Sequence, residues 1–222
     1  MSRLETDITI SASDEAATAE AAGEAAREGF EIYKIKVGGA LAQDLARARA
    51  VARALRFKRR KLKIILDGNQ GLTERGALRL VEACLKEDFD VLLLEQPLLK
   101  TDWKGMARLT RACPVPVAAD EMVLTPEDAV RVADAGAASV INIKAAKSGI
   151  FRSLEIAATA RAAGLDLMIG CMAETGKGLT PGVALAMGTG FFRYVDLDSD
   201  HLLAGAQDGL GWRRKGRFLV LG

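Results

Sequence analysis

The chain has 222 residues, of which 50% are hydrophobic and 27% are charged, and its formal net charge is +2. This composition is typical of a globular protein with a sizeable core, and it argues against a disordered chain or a strongly basic nucleic-acid-binding protein. No run approaches the roughly 18 apolar residues of a membrane span, and we find no signal peptide. We therefore expect a cytoplasmic protein that acts on a small molecule, with neither nucleic acid nor membrane as a partner.

Short apolar runs rich in Val, Ile and Leu alternate with longer segments rich in Ala, Arg and Glu, as in βαβ units around a parallel sheet. Eight runs are candidate strands: Asp7–Ile10, Ile32–Val37, Leu62–Asp67, Val91–Glu95, Val117–Asp120, Val140–Lys144, Leu167–Cys171 and Tyr194–Asp198. Eight such units predict an α/β fold, a TIM-type barrel of the (β/α)8 or (β/α)7β kind with outer helices.

Helix start and stop signals separate these strands. Capping residues open helical segments at 13–15, 73–74 and 125–128, and glycines at 29, 136 and 164 close others. The longest predicted helix spans Ala40–Lys61 and ends in the basic run 56–61. We interpret this run as a solvated helix end, with a phosphate site as the alternative.

The cysteines and the single histidine carry little functional signal. Cys84, Cys113 and Cys171 form no CxxC pair, so we expect three free thiols in a reducing compartment. His201 follows the eighth candidate strand, and we interpret it as a surface loop residue rather than a ligand.

Ionisable residues stand at the ends of the candidate strands, where barrel enzymes place their active sites. They lie about one β/α unit apart and are Lys36, Asp67, Glu95, Asp120, Lys144 and Asp196. The three successive acids, Asp67, Glu95 and Asp120, offer only oxygen ligands, which favours Mg²⁺. Three separate salt bridges at the barrel rim are the alternative.

Lysines flank the three acids on both sides, one unit before them (Lys36) and one unit after them (Lys144). Two bases facing one carbon are what a 1,1-proton transfer needs, with one lysine neutral and the other protonated. Lys34 lies on the same strand face as Lys36, and we expect its charge to disfavour protonation of Lys36. Proton removal next to a carboxylate builds an enediolate, whose charge a divalent metal stabilises. A solvated lysine pair is the alternative.

Five motifs in sequence order resemble the enolase superfamily, in its muconate-lactonizing subgroup, and within that subgroup the dipeptide epimerases. The motifs are YKIKVG (33–38), LDGNQG (66–71), LLEQP (93–97), AADE (118–121) and INIKAAKSG (141–149). The resemblance covers Leu4 to Gly205.

The resemblance implies a role for each motif. Lys36 and Lys144 would be the acid/base pair, and Lys34 would tune or position Lys36. Mg²⁺ would be held by Asp67, Glu95 and Asp120, with Asn69 and Glu121 orienting these ligands. Lys147 is expected to begin the following turn and to take no part in catalysis.

Two further segments bear on the substrate. GCMAETG (170–176) resembles the epimerase form of this loop, and VDLDSD (195–200) places Asp196 and Asp198 on one strand face. By the resemblance, this pair would bind the α-ammonium group of a dipeptide, and Cys171, Met172 and Glu174 would line the same pocket. A strand-end cap for the Asp pair and a helix start at Glu174 are the alternatives.

Members of this family normally carry an N-terminal α+β capping domain, and this sequence opens at the strand that would begin the barrel. We therefore expect residues 1–222 to form a single catalytic barrel with a tail at 206–222, and reduced activity because a lid excludes water. The apolar tail residues Trp212 and 218–221 need a packing partner, which predicts pairing with a neighbouring chain and a homo-oligomer.

The resemblance implies Mg²⁺-dependent epimerisation of dipeptides such as L-Ala-L-Glu. Other reactions on the same scaffold are N-acylamino-acid racemisation, o-succinylbenzoate synthesis and cycloisomerisation. A catalytically silent barrel that binds metal or serves as a scaffold is the alternative from a different class.

Overall fold

A computed structural model of the chain describes residues 1–11, 14–55, 61–203 and 209–222. Its strands are β1 (Arg3–Glu5), β2 (Ile8–Ile10), β3 (Ile32–Lys36), β4 (Lys63–Asp67), β5 (Asp90–Glu95), β6 (Val117–Ala119), β7 (Val140–Lys144), β8 (Asp166–Gly170), β9 (Tyr194–Val195), β10 (Trp212–Lys215) and β11 (Phe218–Leu221). Strands β2 to β9 pair in parallel and in chain order. This is the predicted α/β barrel, and all eight predicted strands are confirmed. The largest difference is in β9, which ends at Val195 rather than Asp198.

The helices between the strands are α1 (Glu15–Arg27), α2 (Leu41–Ala54), α3 (Glu74–Lys86), α4 (Trp103–Ala112), α5 (Pro126–Ala135), α6 (Ala145–Ser148), α7 (Ile150–Ala162), α8 (Gly176–Thr189) and α9 (Ser199–Leu202). The predicted caps are present at α5, where Thr125 and Asp128 form a capping box and Gly136 ends the helix with a left-handed φ of 60°. Asp14 caps α1, whereas Ser13 lies outside the described residues. Among the described residues, no helix combines the length and apolar composition that crossing a bilayer requires.

The predicted helix from Ala40 to Lys61 is too long. Helix α2 ends at Ala54. The N–H of Leu55 still bonds to the carbonyls of Val51 and Ala52, but the backbone angles of Leu55 (φ −101°, ψ 3°) lie outside the helical region. Lys61 contacts the Asp88 carboxylate. The remainder of the predicted basic helix end, Arg56 and 58–60, lies outside the described residues.

Two apolar clusters fill the fold. The larger one lies between the strands and the surrounding helices, and it includes fully buried Phe30, Leu80 and Leu109. The smaller one fills the barrel interior with Ile65, Leu93, Ala118, Val140, Met168 and Tyr194. Because these interior side chains pack beneath the carboxyl ends of the strands, the polar residues that follow them are supported from below.

The barrel closes between its first and last strands through hydrogen bonds, several of them made by side chains. The backbone N–H of Asp7 donates to the carbonyl of Val195 at 3.1 Å. The Thr6 hydroxyl donates to the same carbonyl at 3.3 Å and accepts from the N–H of Leu197 at 2.8 Å. Nearer the carboxyl ends, the Thr9 N–H donates to Oδ2 of Asp198 at 2.5 Å. We call these contacts the closure seam.

The tail packs within the chain, so the predicted pairing with a neighbouring chain is not what the structure shows. Strands β10 and β11 form a hairpin, and β11 also pairs antiparallel with β1. Trp212 and Leu219 are buried, and the Trp212 indole N–H donates to the Thr180 hydroxyl at 3.1 Å. The tail therefore belongs to the same core, while the homo-oligomer stays a prediction.

We expect Leu219→Ala to lower the free energy of unfolding by about 2–5 kcal/mol, because truncating a fully buried leucine loses apolar burial and leaves a cavity. Leu219 is 0% exposed, and Leu221 on the same strand is 51% exposed. Urea denaturation of the two alanine variants measures the difference. Equal losses from Leu219→Ala and Leu221→Ala would contradict the packing of the tail.

Candidate active site

The register of the strands brings the predicted ionisable residues to one end of the barrel. Lys36 lies beside Asp67, and Asp67 lies beside Glu95. Strands β3 and β7, which carry Lys36 and Lys144, are four apart in the eight-stranded order and so lie on opposite walls. The structure therefore assembles the predicted ring of charge at the carboxyl ends of the strands.

The ammonium of Lys34 lies at the centre of this ring. Its Nζ is 2.6 Å from Oδ2 of Asp196, 2.8 Å from Oε2 of Glu95 and 3.2 Å from Oδ2 of Asp67, and its side chain is 2% exposed. Burial opposes the charge, but the acids outweigh burial and raise the pKa of Lys34 well above its ordinary value. Lys34 is thus a charged residue that joins three walls of the barrel. Its predicted influence on Lys36 stays a prediction.

The two lysines predicted as acid and base each contact a predicted metal ligand. Lys36 Nζ lies 2.6 Å from Oδ2 of Asp67, with 40% of its side chain exposed. Lys144 Nζ lies 2.8 Å from Oδ2 of Asp120 and is 8% exposed. Burial would lower the pKa of Lys144, but Asp120 and Glu95 outweigh it and raise the pKa above its usual range. Both lysines therefore face the centre of the mouth from opposite walls.

The three predicted metal ligands are buried carboxylates. Glu95 accepts a hydrogen bond at Oε1 from the amide of Asn142 at 2.7 Å. Its Oε2 lies near Lys34 but receives no hydrogen bond from the described residues. Burial raises the pKa of Glu95 to about 8. An all-oxygen set that includes a buried oxygen without a donor fits Mg²⁺, since that ion prefers carboxylate ligands. Sequence reasoning missed Asn142, although it lies inside the INIK motif.

Asn69 and Glu121 lie where the sequence predicts, beside the metal-ligand strands. The Asn69 N–H donates to Oδ1 of Asp67 at 3.1 Å, and its amide lies 3.4 Å from Oε1 of Glu121. Gln96, which the sequence did not single out, accepts from the N–H groups of Asp120 and Met122 at 2.9 and 3.3 Å. These contacts hold the backbone and side chains that carry the acids.

Lys147 does not simply begin a turn, as the sequence suggested. It lies on the short helix α6, and its ammonium contacts the carboxylate of Asp120 and, at 3.1 Å, the Asp120 carbonyl. Although burial opposes ionisation of Asp120, Lys144 and Lys147 lower its pKa to about 2. The three-residue spacing between the lysines was the available signal, because α6 folds Lys147 back over the strand end.

The predicted substrate-binding residues form the opposite side of the mouth. Cys171, Asp196 and Asp198 place their side-chain ligand atoms within 4.8 Å of one another. The Cys171 thiol lies 3.7 Å from Oδ1 of Asp198, and burial together with the charges of Asp196 and Asp198 raises its pKa above the usual range. Mg²⁺ prefers oxygen ligands to the soft sulfur of a cysteine, so this cluster suits a cationic group with N–H donors better than Mg²⁺.

In the loop after Cys171, the polar groups of Met172 and Glu174 bond to each other and to Ser199 on helix α9. Glu174 accepts from the N–H of Met172 at 2.9 Å, and the Glu174 N–H donates to the Ser199 hydroxyl at 3.1 Å. Met172 is 50% exposed. The roles of Met172 and Glu174 in substrate binding stay predictions.

The structure also bears on the predictions for the cysteines and for the single histidine. All three cysteines are free, as predicted. His201 lies on helix α9 rather than in a surface loop. Its Nε2 is 3.3 Å from Oε2 of Glu28, and its ring centroid is 5.5 Å from that of Phe30.

Comparisons with known proteins identify relatives of this fold and site. The sequence matches the family described as Enolase C-terminal domain-like over residues 16–214. It is 41% identical over 91% of its length to an aromatic dipeptide epimerase of Herpetosiphon aurantiacus, and 37% identical over 90% to an L-Ala-D/L-Glu epimerase of Thermotoga maritima. The chain spans 56% of each of these relatives.

Solved structures of dipeptide epimerases have a fold similar to that of this chain. The substrate-liganded L-Ala-D/L-Glu epimerase of Bacillus subtilis has a TM-score of 0.92 and 31% identity, with 100% of this chain and 61% of that one covered. A dipeptide epimerase of Enterococcus faecalis, complexed with Mg and L-Leu-L-Tyr, has a TM-score of 0.90 and 33% identity, with 100% and 62% covered.

Gly170 on β8 tests how tightly the site is packed. An added methyl would lie 2.7 Å from Oδ1 of Asn142 and 3.0 Å from Cε of Lys144. We expect Gly170→Ala to lower the free energy of unfolding by about 1–3 kcal/mol, since the buried Asn142 must move off Glu95. Gly188→Ala, with no neighbour within 4 Å inside helix α8, is the matched control. It should be neutral or stabilising by up to about 1 kcal/mol. Chemical denaturation giving equal effects would refute the tight packing.

Proposed function

The chain belongs to the Enolase C-terminal domain-like family, and from this membership we propose that it catalyses Mg²⁺-dependent epimerisation of dipeptides such as L-Ala-L-Glu. The observation that carries the proposal is the pair of lysines on opposite walls, with three buried carboxylates between them. The relatives named as dipeptide epimerases support the substrate class.

The two lysines suit a 1,1-proton transfer. A base on one wall removes the α-proton of the substrate, and an acid on the opposite wall returns a proton to the other face of the same carbon. Lys36 on β3 and Lys144 on β7 occupy these two walls. Inversion at the α-carbon follows from this geometry, because the proton leaves and returns on different faces.

The residues that would hold Mg²⁺ are Asp67, Glu95 and Asp120. When bound there, Mg²⁺ would supply positive charge for the substrate carboxylate as the α-carbon loses its proton. The chain's own residues keep this set in place: Asn142 orients Glu95, Asn69 contacts Asp67, and Gln96 binds the backbone of Asp120.

The ammonium group of a dipeptide has a matching acidic site. Asp196 and Asp198 follow β9, with Asp196 held by Lys34 at 2.6 Å and Asp198 by the Thr9 N–H at 2.5 Å. A carboxylate pair held in this way binds a primary ammonium by charge-assisted hydrogen bonds. This pair favours a dipeptide over an N-acylated amino acid, which lacks the ammonium group.

Single lysine variants test the two-base arrangement. Lys36→Ala and Lys144→Ala should each abolish epimerisation, yet each should retain α-proton exchange for the one stereoisomer whose proton faces the remaining lysine. Proton NMR in D₂O with each pure stereoisomer measures the exchange. Lys63→Ala, which removes an exposed lysine from the opposite end of the barrel, is the control. Equal loss of exchange for both stereoisomers in both variants would refute the assignment.

Metal removal tests the cofactor. With Mg²⁺ and L-Ala-L-Glu in D₂O, we expect α-proton exchange that stops on addition of a chelator and returns with excess Mg²⁺. Exchange that persists in chelator would refute the metal requirement. No exchange with any of a pool of L,L-dipeptides would refute the proposed activity for this chain.

A further inference from the structure

Asp7 is a buried acid that the proposed mechanism does not use. It lies immediately before β2 on the closure seam and is 1% exposed. Neither of its carboxyl oxygens receives a hydrogen bond from a donor among the described residues. A buried carboxylate left in this state would be costly, so its surroundings must account for it.

Asp7 and Asp196 are neighbours across the closure seam, and both side chains face the barrel interior, where Asp7 lines a cavity and Asp196 contacts Lys34. The backbones are held together here, because the Asp7 N–H donates to the carbonyl of Val195, the residue before Asp196. Oδ2 of Asp196 lies 2.6 Å from the ammonium of Lys34. The other oxygen, Oδ1, receives no hydrogen bond from the described residues. Two neighbouring buried carboxyl groups whose free oxygens have no other donor are stabilised by sharing a proton.

The proton belongs on Asp7 rather than on Asp196. Asp196 contacts the Lys34 ammonium directly, whereas no ion pair to Asp7 is present among the described residues. Burial and the charges of Asp196 and Asp198 raise the pKa of Asp7 well above its ordinary value, although Lys34 acts in the opposite direction.

The far side of Asp7 borders a cavity at the amino-terminal end of the barrel. This cavity of about 420 Å³ is also lined by Glu5, Asp90, Arg193 and Tyr194. Arg193 is held by Asp166 at 2.6 Å and Glu5 by Arg217 at 2.8 Å, so neither is committed to Asp7. The cavity gives room for a substituted side chain at position 7.

We propose that Asp7 is a positioning residue for Asp196: its carboxyl group donates a hydrogen bond to Oδ1 of Asp196 and holds that carboxylate towards Lys34 and the substrate ammonium. A carboxylate has about four lone-pair sites, so Asp196 keeps acceptor capacity for the substrate after binding Asp7 and Lys34. The part of this role that concerns substrate rests on the proposed function.

Two variants of similar size separate the hydrogen bond from mere filling of space. Asp7→Asn keeps an N–H donor and should leave KM for L-Ala-L-Glu within about twofold, while Asp7→Leu removes the donor and should raise KM by roughly tenfold. The effect should fall on KM more than on kcat, because the ammonium is bound equally in ground and transition states. Asp90→Asn, on the same cavity but away from Asp196, is the control.

Infrared spectroscopy gives a readout that needs no activity. At neutral pH the wild-type minus Asp7→Asn difference spectrum should contain the C=O stretch of a protonated carboxyl, in addition to any band from Glu95 that both proteins share, and the wild-type minus Asp90→Asn difference spectrum should not. A band unchanged in Asp7→Asn would overturn the proposal, as would Asp7→Leu with wild-type KM or Asp7→Asn with the KM of Asp7→Leu. If the wild-type chain shows no exchange but the band depends on Asp7, the proposed function fails while the Asp7–Asp196 hydrogen bond stands.

Discussion

The buried ammonium of Lys34 is the interaction on which the mouth of the barrel depends. It lies within 3.2 Å of carboxyl groups from three other places in the barrel: Asp67 on β4, Glu95 on β5 and Asp196 after β9. Each ionised carboxylate would cost several kcal/mol to bury without a partner. Because a single ammonium contacts all three acids, a change in the spacing of the strands that carry them would also change the stability of the interior.

Charge compensation continues on both sides of Lys34. Asp67 is shared by Lys34 and Lys36, and Asp120 is shared by Lys144 and Lys147. The acids proposed to bind Mg²⁺ are therefore the same acids that hold the proposed catalytic lysines. One set of carboxylates thus both offers ligands for the proposed Mg²⁺ and holds the proposed catalytic lysines. The apolar layer of Leu93, Val140 and Met168 beneath these carboxylates supports them.

The contacts that close the barrel also position the proposed substrate site. The Thr9 N–H on the first barrel strand binds Asp198 after the last one, and Thr6 ties Leu197 to the same seam. An acid proposed to recognise the substrate thus also completes the fold. The seam is made partly by side chains, so substitutions there affect both the fold and the proposed site.

The sequence by itself determined the eight strands, the capped helices and the ring of charged residues, because short apolar runs, capping residues and strand-end positions are local signals. It also singled out Asp67, Glu95, Asp120, Lys36 and Lys144, since their order along the chain follows the order of the barrel walls. Only the tertiary structure decided the contacts of Asn142 with Glu95 and of Lys147 with Asp120, the neighbouring positions of Asp7 and Asp196 across the seam, and the docking of the tail on β1. Those contacts depend on how the barrel closes and on where each side chain points. Both bring together residues that are far apart in the chain, and the sequence separation does not reveal that they are close in space.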